Sequence, residues 1–124
     1  MDFEREINGD ILIESVNLSR ATMKEAEEFK SILEDDIAKG WKKVIVDLSG
    51  CEFIDSTFLG VLVISLKRIT AKAGDLKLVG FQPAVKSMFE LTRMYRVFES
   101  YPTREKALAS YQKSKEKEAK PAHH

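Results

Sequence analysis

Hydrophobic and polar positions alternate near the start of the chain, and this pattern predicts two paired strands. The segment 3–7 alternates, the dipeptide Asn8-Gly9 follows it, and a second apolar segment covers 11–16. Asn-Gly readily adopts the two positive φ angles of a tight hairpin turn. We therefore expect an antiparallel hairpin, followed by a polar connection over 17–21.

The next apolar pattern predicts an amphipathic helix of about four turns. Thr22 and Glu25 have the spacing of a capping box, in which two side chains satisfy backbone N–H groups of the first turn. Gly40 supplies the stop. The apolar face recurs at three- and four-residue steps and comprises Met23, Ala26, Phe29, Ile32, Leu33 and Ile37.

A β-branched apolar run over 44–48 predicts a buried strand, and a second helix is expected over 56–73 with Gly74 as its stop. Asp55 is the residue type that caps a helix, because its carboxylate accepts from free N–H groups. The first half of this helix is apolar nearly all round. Its expected core stripe is Leu59, Leu62, Leu66, Ile69 and Ala73, widened by Phe58, Val61, Val63 and Ile64.

The remaining pattern predicts a strand over 76–79, a helix that begins at Pro83 with Thr92 facing inward, and a short edge strand at Val97-Phe98. Thr103 is expected to cap a last helix. Strand–helix–strand order implies right-handed parallel crossovers. The fold class is therefore α/β, with a mixed, largely parallel sheet of four to five strands and about four helices mainly on one side. The domain covers 1–112, and the charged tail 113–124 is expected to be disordered.

The composition narrows the classes of function. Lys plus Arg and Asp plus Glu each count 20, and this balance argues against nucleic acid or an anionic membrane surface as the main partner. A single cysteine, Cys51, fits a reducing compartment. The longest apolar run, 58–66, is far shorter than the roughly 20 residues that span a bilayer. We expect a cytoplasmic protein with no membrane span.

Candidate chemistry is concentrated in Asp55-Ser56-Thr57, where a strand passes to a helix N-terminus. Helix capping explains these residue types by itself, and a phosphoacceptor is the functional alternative. No phosphate-binding loop, zinc-ligand spacing or nucleophile elbow is present, so neither an enzyme nor a cofactor is expected. His123 and His124 end the chain, and they are interpreted as a solvated or artificial terminus rather than metal ligands.

Three segments resemble the STAS domain, the family of anti-sigma factor antagonists. The first is Val46-Asp47-Leu48-Ser49 followed by Phe53-Ile54-Asp55-Ser56-Thr57-Phe58-Leu59-Gly60, which is similar to the family's Asp-Leu-Ser and Phe-Met/Ile-Asp-Ser-Ser-Gly-Leu-Gly pattern. The second is Pro83-Ala84-Val85, similar to the family's Pro-Ala-Val helix start. The third is Phe98-Glu99 with the closing helix around Ala107-Leu108. The resemblance covers about residues 3 to 111.

The resemblance implies partner switching. Such a protein binds an anti-sigma factor that is also a Ser/Thr kinase, frees the sigma factor, and is inactivated by phosphorylation that a Ser/Thr phosphatase reverses. The implied phosphoacceptor is Thr57, with Ser56 as second choice. The implied partner-binding residues are Asp55, Ser56, Thr57, Phe58 and Ser19.

Two departures from the family pattern support a different interpretation. Phe58 replaces the Gly that follows the phosphorylated residue, and Val16-Asn17-Leu18-Ser19 replaces Gly-x-Leu-Asp before the first helix. The alternative is a non-phosphorylated STAS subunit of a larger assembly, either a signalling scaffold or a lipid-transport complex.

Overall fold

The protein forms one α/β unit in which a five-stranded sheet has helices on both faces. A computed structural model describes the backbone of residues 1–119 and the side chains of residues 1–113. The elements are β1 Phe3–Asn8, β2 Ile11–Val16, β3 Arg20–Ala21, α1 Met23–Ala38, β4 Lys43–Asp47, β5 Phe53–Ile54, α2 Ser56–Thr70, β6 Asp75–Val79, α3 Pro83–Leu91, a 3-10 turn Met94–Arg96, β7 Ser100–Tyr101 and α4 Arg104–Ala119.

The main sheet has the strand order β1-β2-β4-β6-β7, and its β1–β2 pair is antiparallel while the remaining pairs are parallel. Its two central parallel strands, β4 and β6, alternate with helices along the chain, so each crossover lays a helix on the sheet. The predicted α/β class and mixed, largely parallel sheet are confirmed. The carboxyl ends of β2, β4 and β6 share one edge of the sheet, which places the following loops together.

The predicted hairpin is present, but its turn lies one residue later than expected. Asn8 is the last residue of β1 and pairs with Ile11, so the two turn residues are Gly9 and Asp10. Gly9 alone of the three residues 8–10 has a positive φ, 64°. A two-residue turn with glycine at its first central position needs a positive φ only at that glycine. Asn8 therefore keeps an extended backbone and remains in the strand.

Helix α1 begins and ends as predicted. Thr22 accepts from the Lys24 amide, and the Thr22 amide donates to Glu25 at 3.0 Å, which completes the capping box. Gly40, two residues past the helix, has a φ of 98°. The prediction of the apolar face is wrong for one residue, because Met23 at the first helical position is 70% exposed.

Helix α2 ends three residues earlier than predicted. Thr70 is its last residue and Ala73, with a φ of 63°, lies in the exposed turn beyond it rather than in the core stripe. Gly74 is required for a different reason from the one expected. A Cβ there would lie 2.7 Å from the Lys42 carbonyl oxygen and 2.8 Å from the Ile69 side chain, so this glycine permits close packing.

Two apolar clusters cover the two faces of the sheet. Helices α1, α2 and α3 pack in the larger cluster, which contains Phe29, Leu62 and Phe89. Helix α4 packs Ala107 and Tyr111 against the opposite face, on Ile11, Ile13 and Ile45. Three of the four helices in the described part of the chain thus share one side, and the fourth closes the other.

The edge strand predicted at Val97-Phe98 is wrong. Those residues follow the 3-10 turn, and the strand that pairs with β6 is Ser100–Tyr101. Thr92 also does not face the core, because it is the exposed C-cap residue that follows α3. The predicted boundary between the domain, 1–112, and the charged tail, 113–124, stays a prediction. Helix α4 continues to Ala119, and residues 120–124, with His123 and His124, lie outside the described residues.

Candidate functional site

Asp55 joins the N-termini of two helices. One carboxylate oxygen, Oδ1, accepts from the Phe58 amide of α2 at 2.9 Å, and the other, Oδ2, accepts from the Met23 amide of α1 at 2.9 Å. Both amides lie in the first turn of their helix, where the N–H groups have no hydrogen-bond partner within the helix. A helix N-terminus carries partial positive charge, so one carboxylate between two such ends is favoured electrostatically. The predicted N-cap therefore serves both helices.

A small second sheet places Asp55 between these helices. Strands β3 and β5 pair in parallel, Arg20 with Phe53 and Ala21 with Ile54. The Asp55 amide then donates to the Ala21 carbonyl at 3.1 Å, which continues the ladder to the first residue before α2. This two-residue ladder brings the start of α1 alongside the start of α2, although 32 residues separate Met23 from Asp55 along the chain.

Ser56 and Thr57 are the exposed residues of the first turn of α2. They occupy its first two helical positions, and their amides have no carbonyl four residues back within the helix. Asp55 satisfies the next amide, that of Phe58. Two hydroxyls therefore face solvent beside backbone donors at the end of a helix, where an added anion is accommodated electrostatically.

Phe58 does not belong to this surface. Its ring is fully buried and stacks on Phe29 with ring centroids 5.3 Å apart, and Phe29 stacks on Phe3 at 4.8 Å. The sequence placed Phe58 among the partner-binding residues and suggested a bulky obstruction there. The structure corrects both points, because the third helical position of α2 points at α1 and the sheet. The ring fills the core and leaves the surface unobstructed.

Ser19 lies at the margin of the same face. Its hydroxyl donates to the carboxylate of Glu52, and its carbonyl accepts from the Glu52 and Phe53 amides at 2.8 and 3.0 Å. Beside it the guanidinium of Arg20 lies over the Phe53 ring, 4.4 Å from the centroid. Ser19 is exposed and remains available as a contact residue, while the bonds to its backbone hold the two loops together.

Asp47, at the carboxyl end of β4, has a structural role. It accepts from the Ser49 amide and hydroxyl at 2.9 and 2.6 Å and from Arg104 at 2.6 Å. Burial would raise the pKa of Asp47, but the hydrogen bonds from Ser49 and Arg104 outweigh it and hold that pKa below its usual value. The carboxylate thus shapes the loop after β4 and anchors the start of α4.

Two features of this face were missed in the sequence. The pairing of β3 with β5 leaves no periodic signal, because each strand has only two residues. The exposure of Met23 was missed because an apolar residue at helical spacing was assigned to the core.

Within the described part of the chain, no group of three or more acidic, cysteine or histidine side chains is arranged to hold a metal ion. None of the helices described there is long and apolar enough to cross a bilayer.

Removing the Asp55 carboxylate should destabilise both helix starts. We expect Asp55→Ala to lower the free energy of unfolding by about 2 kcal/mol, since a lost N-cap costs about 1 kcal/mol and two amides lose their acceptor. Asp55→Asn keeps one side-chain oxygen and should lose about half as much. Urea titration of both variants measures this, and equal losses for Asn and Ala would contradict the double cap.

Comparison with known proteins connects this geometry to a family. The family model of the STAS domain matches residues 5–107. The chain belongs to the STAS domain family. A relative from Thermotoga neapolitana, provisionally named an anti-sigma factor antagonist, is 31% identical over 111 residues, which are 89% of this chain and 97% of the relative.

Solved structures of the family have the same fold. The crystal structure of a provisionally named anti-sigma factor antagonist from Thermotoga maritima superposes with a TM-score of 0.80 at 31% identity, covering 87% of this chain and 92% of that one. The phosphorylated form of SpoIIAA from Bacillus superposes with a TM-score of 0.69 at 17% identity, covering 88% and 98%, and shares the fold. This STAS protein is thus a member of the anti-sigma factor antagonists.

Proposed function

We propose that this STAS protein binds an anti-sigma factor with Ser/Thr kinase activity and is released from it by phosphorylation of Thr57. The observation that carries the proposal is the first turn of α2, where Ser56 and Thr57 are exposed while Phe58 and Leu59 are buried. A kinase can reach these hydroxyls without unfolding the helix. Unphosphorylated, the same face would bind the anti-sigma factor in the cytoplasm and free the sigma factor, with no direct contact to nucleic acid.

The electrostatics of the site allow the fold to tolerate a phosphate. A phosphate adds about −1.5 to −2 charge, which the two helix N-termini favour and the Asp55 carboxylate opposes. These effects partly cancel, so the change in the domain's own stability should be small, about 1 kcal/mol either way. Inside an interface the same dianion has to be desolvated, and without partners it costs roughly 2–5 kcal/mol of binding free energy.

Thr57 is preferred over Ser56 because it matches the phosphorylated position of the family motif, the second residue after the aspartate. Both side chains are exposed, so exposure alone does not choose between them. A Ser/Thr phosphatase would restore the binding form. Ser56, Asp55 and Ser19 complete the proposed contact face around Thr57.

The alternative of a non-phosphorylated subunit loses one of its two arguments. Phe58 in place of the family glycine suggested a blocked kinase site, but its ring is in the core. The other argument, Ser19 in place of the family aspartate, stands, since Ser19 is exposed at the margin of the face. The structure thus favours the phosphorylated antagonist over the subunit of a scaffold or lipid-transport complex.

Intact mass of the protein purified from its native cells, with and without phosphatase treatment, tests the proposal. We expect a phosphatase-sensitive addition of one phosphate, mapped to Thr57 and absent from Thr57→Ala. Ser56→Ala is the matched control and should keep the phosphate. A chain that carries no phosphate across growth and stress conditions would contradict the switch and favour the constitutive subunit.

A further inference from the structure

Two acidic side chains are buried together between the sheet and α1, away from the candidate site. Glu14 on β2 is 2% exposed and Asp36 on α1 is fully buried. They share one cation, Arg5 on β1, the cross-strand partner of Glu14. Arg5 Nε lies 3.3 Å from Glu14 Oε2, and Arg5 Nη2 contacts Asp36 Oδ1.

The charges of this cluster do not balance if both carboxyl groups are ionised. Two carboxylates and one guanidinium leave a net charge of −1, and burying an uncompensated charge is costly. Arg5 is itself partly exposed, with 38% of its side chain accessible, so it screens the pair incompletely. One bound proton would make the cluster neutral.

The hydrogen bonds indicate where that proton resides. No described residue donates a hydrogen bond to the buried Asp36 Oδ2, although buried polar atoms are nearly always paired. Glu14 and Asp36 both contact the guanidinium of Arg5, which places the two carboxyl groups side by side. Two carboxylates cannot bond to each other, but a protonated Oδ2 can donate to the Glu14 carboxylate. The orphaned oxygen then becomes a donor with a partner.

We propose that Asp36 and Glu14 hold one shared proton in the folded protein, and that this proton fastens the C-terminal half of α1 to the sheet. The neutral Asp36 carboxyl donates to Glu14, and Arg5 bonds the remaining oxygens of both. The same helix begins at Met23, roughly 20 Å away, where Asp55 bonds its first amide. The proton therefore anchors the helix whose other end forms part of the candidate site.

The surrounding groups determine the pH range. Burial, the hydrogen bond to Glu14 and the charge of Glu14 raise the pKa of Asp36 from 3.8 to about 8, Arg5 opposes this, and Asp35 adds to it. Asp35 is exposed and paired with Lys39 at 2.9 Å, while β4 presents the apolar Val46 beside Glu14. Between about pH 4 and pH 8 the folded chain keeps a proton that the unfolded chain releases. Stability from this group therefore decreases as pH rises through that window and is constant above it.

Carbon NMR of the Asp36 carboxyl in the wild-type protein measures the proton directly. We expect a titration midpoint near pH 8, and a lower midpoint in Glu14→Gln, which removes the acceptor's charge. A wild-type midpoint near pH 4 would overturn the proposal. A raised midpoint that Glu14→Gln leaves unchanged would also overturn it, since burial alone would then explain the shift.

Unfolding in urea at several pH values provides the second readout. If the folded chain keeps one proton that the unfolded chain releases, the unfolding equilibrium constant rises by up to tenfold for each unit by which the pH is raised. Asp36→Asn keeps a hydrogen-bond donor at this position but removes the titrating group. In this variant, the part of the pH dependence of the unfolding equilibrium constant that Asp36 causes between pH 5 and 8 should disappear. Asp35→Asn, the matched control on the exposed face, should keep the slope. An unchanged slope in Asp36→Asn would contradict the proposal, and neither readout needs a binding partner.

Discussion

Phe58→Ala should lower the free energy of unfolding by about 3–5 kcal/mol, the range found when a fully buried phenylalanine is truncated. The ring has no exposed surface and lies at the end of the Phe3–Phe29–Phe58 stack, so its removal leaves a cavity between α1 and α2. Alanine is a better helix former than phenylalanine, which offsets only about 0.5 kcal/mol of the loss. Chemical denaturation of the two proteins measures the difference.

Met23→Ala is the control for this experiment because Met23 begins the neighbouring helix with 70% of its surface exposed. It should change stability by no more than about 0.5 kcal/mol. A loss below about 1 kcal/mol in Phe58→Ala would contradict the core position of the ring. It would also return Phe58 to the contact residues of the candidate site.

Thr57→Glu should weaken binding to the anti-sigma factor by roughly 2–5 kcal/mol, on the order of 30- to several-thousand-fold, if Thr57 is the phosphoacceptor proposed above. The side chain is exposed in the free protein, so the charge is solvated there and is desolvated only in the complex. The fold should be retained, with a stability change of about 1 kcal/mol at most. Calorimetric titration of the anti-sigma factor and urea unfolding provide the two measurements.

Thr57→Gln separates charge from size in this test. It has nearly the volume of glutamate without the negative charge, so it should lose much less affinity than Thr57→Glu. Equal losses in the two variants would show a steric effect rather than an electrostatic one. Unfolding of Thr57→Glu, or unchanged affinity, would contradict a phosphate that breaks the complex and leaves the fold intact.

Local chemistry made part of this structure predictable. The capping box at Thr22 and Glu25, the proline at the start of α3 and the cap at Asp55 act within one helical turn, so a short sequence window contains the whole signal. The hairpin was also recognised from its turn residues, although the turn is displaced by one position. Boundaries shift because neighbouring turn types differ little in energy, and pairing with the next strand decides between them.

The candidate site was predictable only along one helix. The sequence identified Asp55, Ser56 and Thr57 at the start of α2, but not that the second oxygen of Asp55 bonds α1. It also left Phe58 open between core and surface. An apolar residue in the first turn of a helix that is apolar nearly all round faces whichever neighbour the fold supplies.

The sequence by itself determined the order of the helices and of strands β1, β2, β4 and β6, the caps, and a pair of hydroxyls at a helix start, because each depends on residues a few positions apart. Only the tertiary structure decided the double role of Asp55, the burial of Phe58, the place of the edge strand and the contact of Arg5 with both Glu14 and Asp36. These depend on contacts between residues that are distant in the chain, and no local pattern records which distant residue will be the neighbour.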